Sequence, residues 1–166
     1  MVVVVFGLPG SGKSYFAWRL AKIMRAVYIS SDKVRIENFK QKKYSEKSKK
    51  MVYQRMMKVG IEALKENQDI VFDGTFYLRK IRKMICENFS ALSNIYFIEV
   101  LAPEGLIKER TQKKREFSDA NYDVYRKLKK TFEPMRSPHL QLTSSNENLK
   151  DMIQTAMNHL RLNEKL

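Results

Sequence analysis

Hydrophobic and polar positions along this chain change their period repeatedly, and each change marks a predicted element. Val2 to Phe6 is an apolar, β-branched run without polar alternation, the pattern of a strand buried on both faces by helices. Phe16, Ala17, Leu20, Ile23 and Met24 then recur at the spacing of one helical face, which predicts a helix over Lys13 to Met24. Ala26 to Ser30 reads as a second strand, Asp69 to Phe72 as a third, Ile95 to Leu101 as a fourth and His139 to Thr143 as a short fifth. Between strands two and three, Lys40 to Lys50 is a polar connection that becomes a helix carrying Tyr53, Met56, Met57, Gly60, Ile61 and Leu64 along one face. Its methionines are expected to fill core. Ile81, Met84 and Ile85 mark the next helix, and Pro103 opens another through Leu106, Ile107 and Arg110. Ser118 is the expected cap of a helix along Tyr122, Tyr125 and Leu128, and Ser144 with Glu147 forms a capping-box pair before Leu149, Ile153, Ala156 and Leu160. Strands alternating with helices in this way predict an α/β fold, a three-layer α/β/α sandwich around a five-stranded parallel sheet.

Composition narrows the class. At 166 residues and 43% hydrophobic, the chain is expected to form a single domain over 1–166. The single Cys86 excludes an internal disulfide, and with His139 and His159 as the only histidines there is little material for a zinc centre or a Ser-His-Asp hydrolase. Both histidines are expected at the surface or in caps. The apolar start lacks a basic leader, and no apolar run approaches the roughly 20 residues of a membrane helix. A soluble protein of a reducing cytoplasm is therefore expected, with no membrane partner. Lys and Arg total 32 against 18 acidic residues, a formal net charge of +14. That surplus exceeds what a free nucleotide requires and makes nucleic acid a candidate partner or substrate.

The segment Gly7-Leu8-Pro9-Gly10-Ser11-Gly12-Lys13-Ser14 supplies the chemistry. It lies between a buried strand and an amphipathic helix, where glycines allow backbone N–H groups to converge on phosphate oxygens. The helix N-terminus adds positive potential, Lys13 reaches the β- and γ-phosphates, and the Ser14 hydroxyl can ligate magnesium. ATP with Mg2+ is the expected ligand pair. Gly7, Pro9, Gly10, Ser11, Gly12, Lys13, Ser14 and Tyr15 are the candidate nucleotide-binding residues.

Other residues decide what happens to the triphosphate. Parallel strands present their carboxyl ends to one rim, which brings Ser31 and Asp32 beside the loop. Asp32 can orient an acceptor hydroxyl and take its proton, and a helical turn from Ser31 would place Arg35 on the same face to hold an anionic group. Asp73 closes the third strand, where a carboxylate can hold magnesium through water or touch the acceptor. Lys108, Arg110, Lys113, Lys114 and Arg115 form a basic run expected to act as a lid over about 108–122, with Arg110 and then Arg115 as candidates for stabilising transferred charge. Phe76, Tyr77 and Arg79 could clamp a base, although packed aromatics at a strand end are the commoner arrangement. An AAA-type motor would carry two acidic residues ending the third strand, and here Asp73 is followed by Gly74.

Taken together, Gly7 to Ser14, Asp32-Lys33-Val34-Arg35, Asp73-Gly74-Thr75 and the Arg110 to Arg115 run resemble the polynucleotide 5′-kinase branch of the P-loop kinases, of adenylate-kinase-like fold, over nearly the whole chain. The resemblance implies ATP and magnesium at Lys13 and Ser14, Asp32 as base, Arg35 on an acceptor phosphate and Arg110 on the donor phosphates. It implies phosphorylation of the 5′-hydroxyl of DNA or RNA. Where many of those kinases read Asp-x-Thr-Asn, Phe76 replaces the asparagine. Gluconate, shikimate, antibiotic and zeta-toxin kinases share the plan, so a small-molecule kinase is the alternative, and a nucleotide-dependent binding module or weak ATPase a third.

Overall fold

The computed structural model describes residues 1–38, 46–112 and 120–164, with the side chains of 46 and 162–164 left aside. Five strands and seven helices follow in the order β1 (Val2–Phe6), α1 (Lys13–Met24), β2 (Val27–Ser30), α2 (Ser31–Asn38), α3 (Glu46–Lys65), β3 (Ile70–Asp73), α4 (Arg79–Phe89), β4 (Ile95–Leu101), α5 (Glu104–Gln112), α6 (Tyr122–Thr131), β5 (Leu140–Thr143) and α7 (Leu149–Glu164). The sheet order is β2-β3-β1-β4-β5, and all four strand pairs are parallel. This is the α/β architecture that the alternating pattern predicts.

β1 shows why its sequence carries no polar position. All five of its residues are fully buried. Val2, Val4 and Phe6 join one core with Phe72, Phe76, Ile85 and Phe89, while Val3 and Val5 join the other with Phe16, Leu20, Ala156 and Leu160. A strand with a hydrophobic layer on each side has no face to give to water. Met56 and Met57 are core residues, as expected. Gly60 lets α3 approach closely, because a Cβ there would stand 2.7 Å from Phe72 Cζ and 2.9 Å from Phe89 Cζ.

Several local expectations need correction. Helix α3 begins at Glu46, inside the stretch read as a polar connection, because its lysines occupy a solvated face beside buried Ser48 and Val52. Helix α6 is capped by Asn121, whose Oδ1 accepts from Val124 N at 3.0 Å. Ser118 lies outside the described residues. The cap before α7 is shifted by one residue: Ser145 Oγ accepts from Asn148 N at 3.1 Å, and Ser145 N donates to Asn148 Oδ1 at 2.8 Å. Ser144 is thereby released for another bond. His139 is not a surface residue, since its side chain is 10% exposed and its ring meets the buried Glu99 carboxylate at 3.2 Å. Gln141 donates to the same carboxylate at 2.8 Å. Among the described residues, no helix is long and apolar enough to cross a membrane.

Candidate active site

Register assembles the rim. Asp73 lies level with Val5 of β1 on one side and with Ser30 of β2 on the other, so the carboxyl ends of three neighbouring strands finish together. The glycine loop leaves β1 at this edge. Gly7 has φ +149, and a Cβ on it would collide with the Val100 carbonyl. Gly12, at φ 88, forms the left-handed turn into α1. Lys13 follows, 9% exposed at the first position of α1, and Ser14 lies beside it at the surface.

Asp73 is 2% exposed and accepts two hydroxyls, from Ser14 Oγ at 3.1 Å and from Tyr28 at 2.7 Å. Burial, with the Asp73 charge beside it, pushes the Tyr28 phenol well above its usual range. It therefore stays a donor to the carboxylate. A serine hydroxyl and an oriented carboxylate are hard oxygen donors, the set that magnesium prefers, so the residues fit the ion expected with ATP.

Helix α2 starts at Ser31, so Asp32 and Arg35 stand three residues apart on one helix, directly after β2. Arg35 is 7% exposed and Asp32 is half-buried. Helix α3 packs against α2 on this side of the sheet.

Arg110, from the expected lid, is held against the phosphate loop. Its guanidinium donates to Ser144 Oγ at 2.8 Å, Ser145 O at 2.9 Å, Asn146 Oδ1 at 3.2 Å and Gly10 O at 3.3 Å. Ser144 Oγ in turn donates to Ser11 O at 2.6 Å. Arg110 thus ties the phosphate loop to the segment between β5 and α7, and burial pulls its pKa down. Arg110, Ser144, Ser145 and Asn146, with Tyr15, Leu149 and Met152, line a cavity of about 420 Å³ that opens beside Gly12 to Ser14. Arg115 and the middle of the expected lid, residues 113–119, lie outside the described residues.

Arg79 begins α4 as an exposed residue, and its backbone N–H donates to the Glu133 carboxylate, which ties it to the segment after α6. Phe76 is fully buried at φ +38 and packs on Tyr53 with ring centroids 5.6 Å apart, and Tyr77 is 8% exposed. These aromatics are packed, so the stacking clamp is set aside. The conformation of Phe76 is held by Arg82, a residue the sequence reading missed. Arg82 is 4% exposed, donates to Phe76 O and Glu133 O, and lies over the Phe6 and Phe132 rings at 5.6 and 5.9 Å. Tyr28 and Asn146 were missed as well, while Tyr53 was read as a residue of a helix face and Ser144 as a cap. The one local hint was Tyr28, two residues before the strand end that delivers Ser31 and Asp32.

Comparison with known proteins places this geometry. No curated protein matches the sequence. Among solved structures, a gluconokinase from Sinorhizobium meliloti 1021 superposes with a TM-score of 0.74 at 18% identity, covering 99% of this chain and 94% of that one. The Mycobacterium tuberculosis APS kinase CysC in complex with AMPPNP and APS gives 0.72 at 17% identity, covering 96% of each. A Pnkp1/Rnl/Hen1 complex gives 0.60 at 17% identity, covering 88% of this chain and 47% of the other. Residues 2–135 match the AAA_33 family, described as "AAA domain". With most of its length matched, the chain belongs to the AAA_33 family and carries the fold of the P-loop kinases.

Proposed function

We propose that the chain is an ATP-dependent phosphotransferase acting on a hydroxyl of a small molecule. The observation that carries this reading is the pairing of two half-sites on one rim. Lys13, Ser14 and Asp73 form the triphosphate half, and Asp32 with Arg35 forms a separate half one strand away. A site that only binds or slowly hydrolyses nucleotide has no use for the second half. Gluconokinase and APS kinase folds over nearly the full chain support a small acceptor.

In this reading the base and ribose of ATP occupy the cavity walled by Arg110, Ser145 and Asn146, and the loop from Gly7 to Ser14 takes the phosphates. Ser14 and Asp73 would hold magnesium, which when bound neutralises charge on the donor phosphates. Asp32 accepts the proton of the acceptor hydroxyl as its oxygen bonds to the γ-phosphorus, and the bridging bond to the β-phosphate breaks to leave ADP. Arg35 holds the acceptor in line, a positioning effect that can supply several kcal/mol.

The test is transfer from labelled ATP to a panel of sugars, sugar acids, sugar phosphates and nucleosides. Product must form with at least one acceptor; hydrolysis without transfer across the panel refutes the proposal. The second reading, a polynucleotide 5′-kinase, is favoured by the net charge of +14. End-labelling of a 5′-hydroxyl oligonucleotide decides for it, and binding that ignores salt decides against it.

A further inference from the structure

Beside Arg35, three elements bring hydrogen-bond donors to one point. Lys49 and Tyr53 lie one turn apart on α3 and so share a side of that helix. Thr75 and Tyr77 come from the loop that leaves β3, and Arg35 comes from α2, which packs on α3. Lys49 Nζ stands 3.4 Å from the Tyr77 hydroxyl and 5.7 Å from the centre of its ring. The Tyr53 ring is fixed against Phe76 at 5.6 Å. Its hydroxyl pairs with Thr75 and lies within the fields of both Arg35 and Lys49, while burial, the dominant effect, pushes its pKa up to about 12. Arg35, Tyr53 and Tyr77 are only 7%, 6% and 8% exposed. The corner therefore holds two cations and two phenols, three of them buried and Lys49 half-buried.

That donor set has a chemical meaning. An oxyanion accepts from guanidinium, ammonium and hydroxyl groups alike, and such bonds strengthen when water is excluded. A neutral sugar hydroxyl has no use for two positive charges. The spacing also limits size, because Asp32 and Arg35 are three residues apart on α2, which puts their Cβ atoms roughly 5–6 Å apart.

We propose that Lys49, Tyr53 and Tyr77 complete, with Arg35, a subsite for an anionic group on the acceptor, so that the substrate is a compact hydroxylated carboxylate or phosphate. The location of the reacting hydroxyl rests on the phosphotransferase reading above. The anion subsite itself rests on the donor cluster.

The experiment has two arms. In the transfer assay, Lys49→Gln raises KM for the anionic acceptor about tenfold or more, the weight of one charged hydrogen bond, and leaves kcat and the KM for ATP within about twofold. Lys49→Arg restores most of the loss. Sugar acids against sugar phosphates distinguish carboxylate from phosphate, and neutral sugars used as well as either would overturn the proposal. In the binding arm, ADP fills the phosphate loop and inorganic phosphate is titrated by calorimetry. The wild type binds it, and Lys49→Gln and Tyr53→Phe bind it about tenfold or more weakly. Equal binding by wild type and variants, with unchanged melting temperatures, overturns the subsite whether or not transfer occurs. Loss of binding in the variants without transfer to any acceptor upholds the subsite and overturns the phosphotransferase reading alone.

Discussion

The Ser14 hydroxyl donates to the Asp73 carboxylate at 3.1 Å across 59 positions of chain, joining the first turn of α1 to the end of β3. Tyr28 completes the support from β2 at 2.7 Å. In the proposed reading, Ser14 and Asp73 oxygens held this way would be pre-organised for magnesium. Asp73→Asn is therefore expected to raise the magnesium concentration for half-maximal ATP turnover by about tenfold or more, as loss of a supporting carboxylate commonly does. Tyr28→Phe is expected to shift it less. A magnesium titration of each variant checks both.

Arg110 makes four hydrogen bonds that connect the phosphate loop to Ser144, Ser145 and Asn146. Arg110→Ala removes a charged donor and frees both walls of the cavity proposed for the nucleotide. Affinity for a fluorescent ATP analogue is expected to fall by about 1.5–3 kcal/mol, that is, roughly ten- to a hundredfold. Arg110→Lys, lacking the fork, is expected to recover little.

Two glycines in helices make opposite predictions. Gly60→Ala would press a methyl group against the Phe72 and Phe89 rings at 2.7 and 2.9 Å, and is expected to cost about 1–3 kcal/mol of stability in denaturant unfolding. Gly105 in α5 has nothing within 4 Å of a Cβ, so Gly105→Ala is expected to stabilise by roughly 0.5–1 kcal/mol.

Tyr53 gives the protein an alkaline limit. Its folded pKa is raised from 10.0 to about 12. The neutral phenol is the form that fits the fold, so its contribution is complete below pH 10 and is lost as pH rises through about 12. Tyr53→Phe cannot ionise. Its stability relative to wild type is expected to improve over that window by on the order of 2 kcal/mol, measured by urea unfolding at stepped pH.

Where the sequence carried its own periodicity, it was legible. The bounds of β1 and α1 follow from the apolar run and the helical stripe, because both elements bury residues in a pattern set by their own geometry. The placement of Asp32 and Arg35 on one helix was legible too, since a helix starting at Ser31 needs only local spacing. The α7 cap was off by one because Ser144 is drawn to Ser11 and Arg110, partners 133 and 34 positions away. Arg82, and the polar contacts of Tyr53, were invisible for the same reason. Their partners, Glu133, Phe6 and Thr75, arrive only when the sheet closes. Phe76 looked like a departure in a recognition motif, and its burial shows that packing decides that position.

The central claim is that Asp32 serves an acceptor and not the nucleotide. The most direct measurement compares wild type with Asp32→Asn for ATP affinity and for transfer to the preferred acceptor. Affinity is expected to stay within about twofold while transfer falls by on the order of a hundredfold or more. Equal loss of both, or transfer that survives the substitution, would contradict the account.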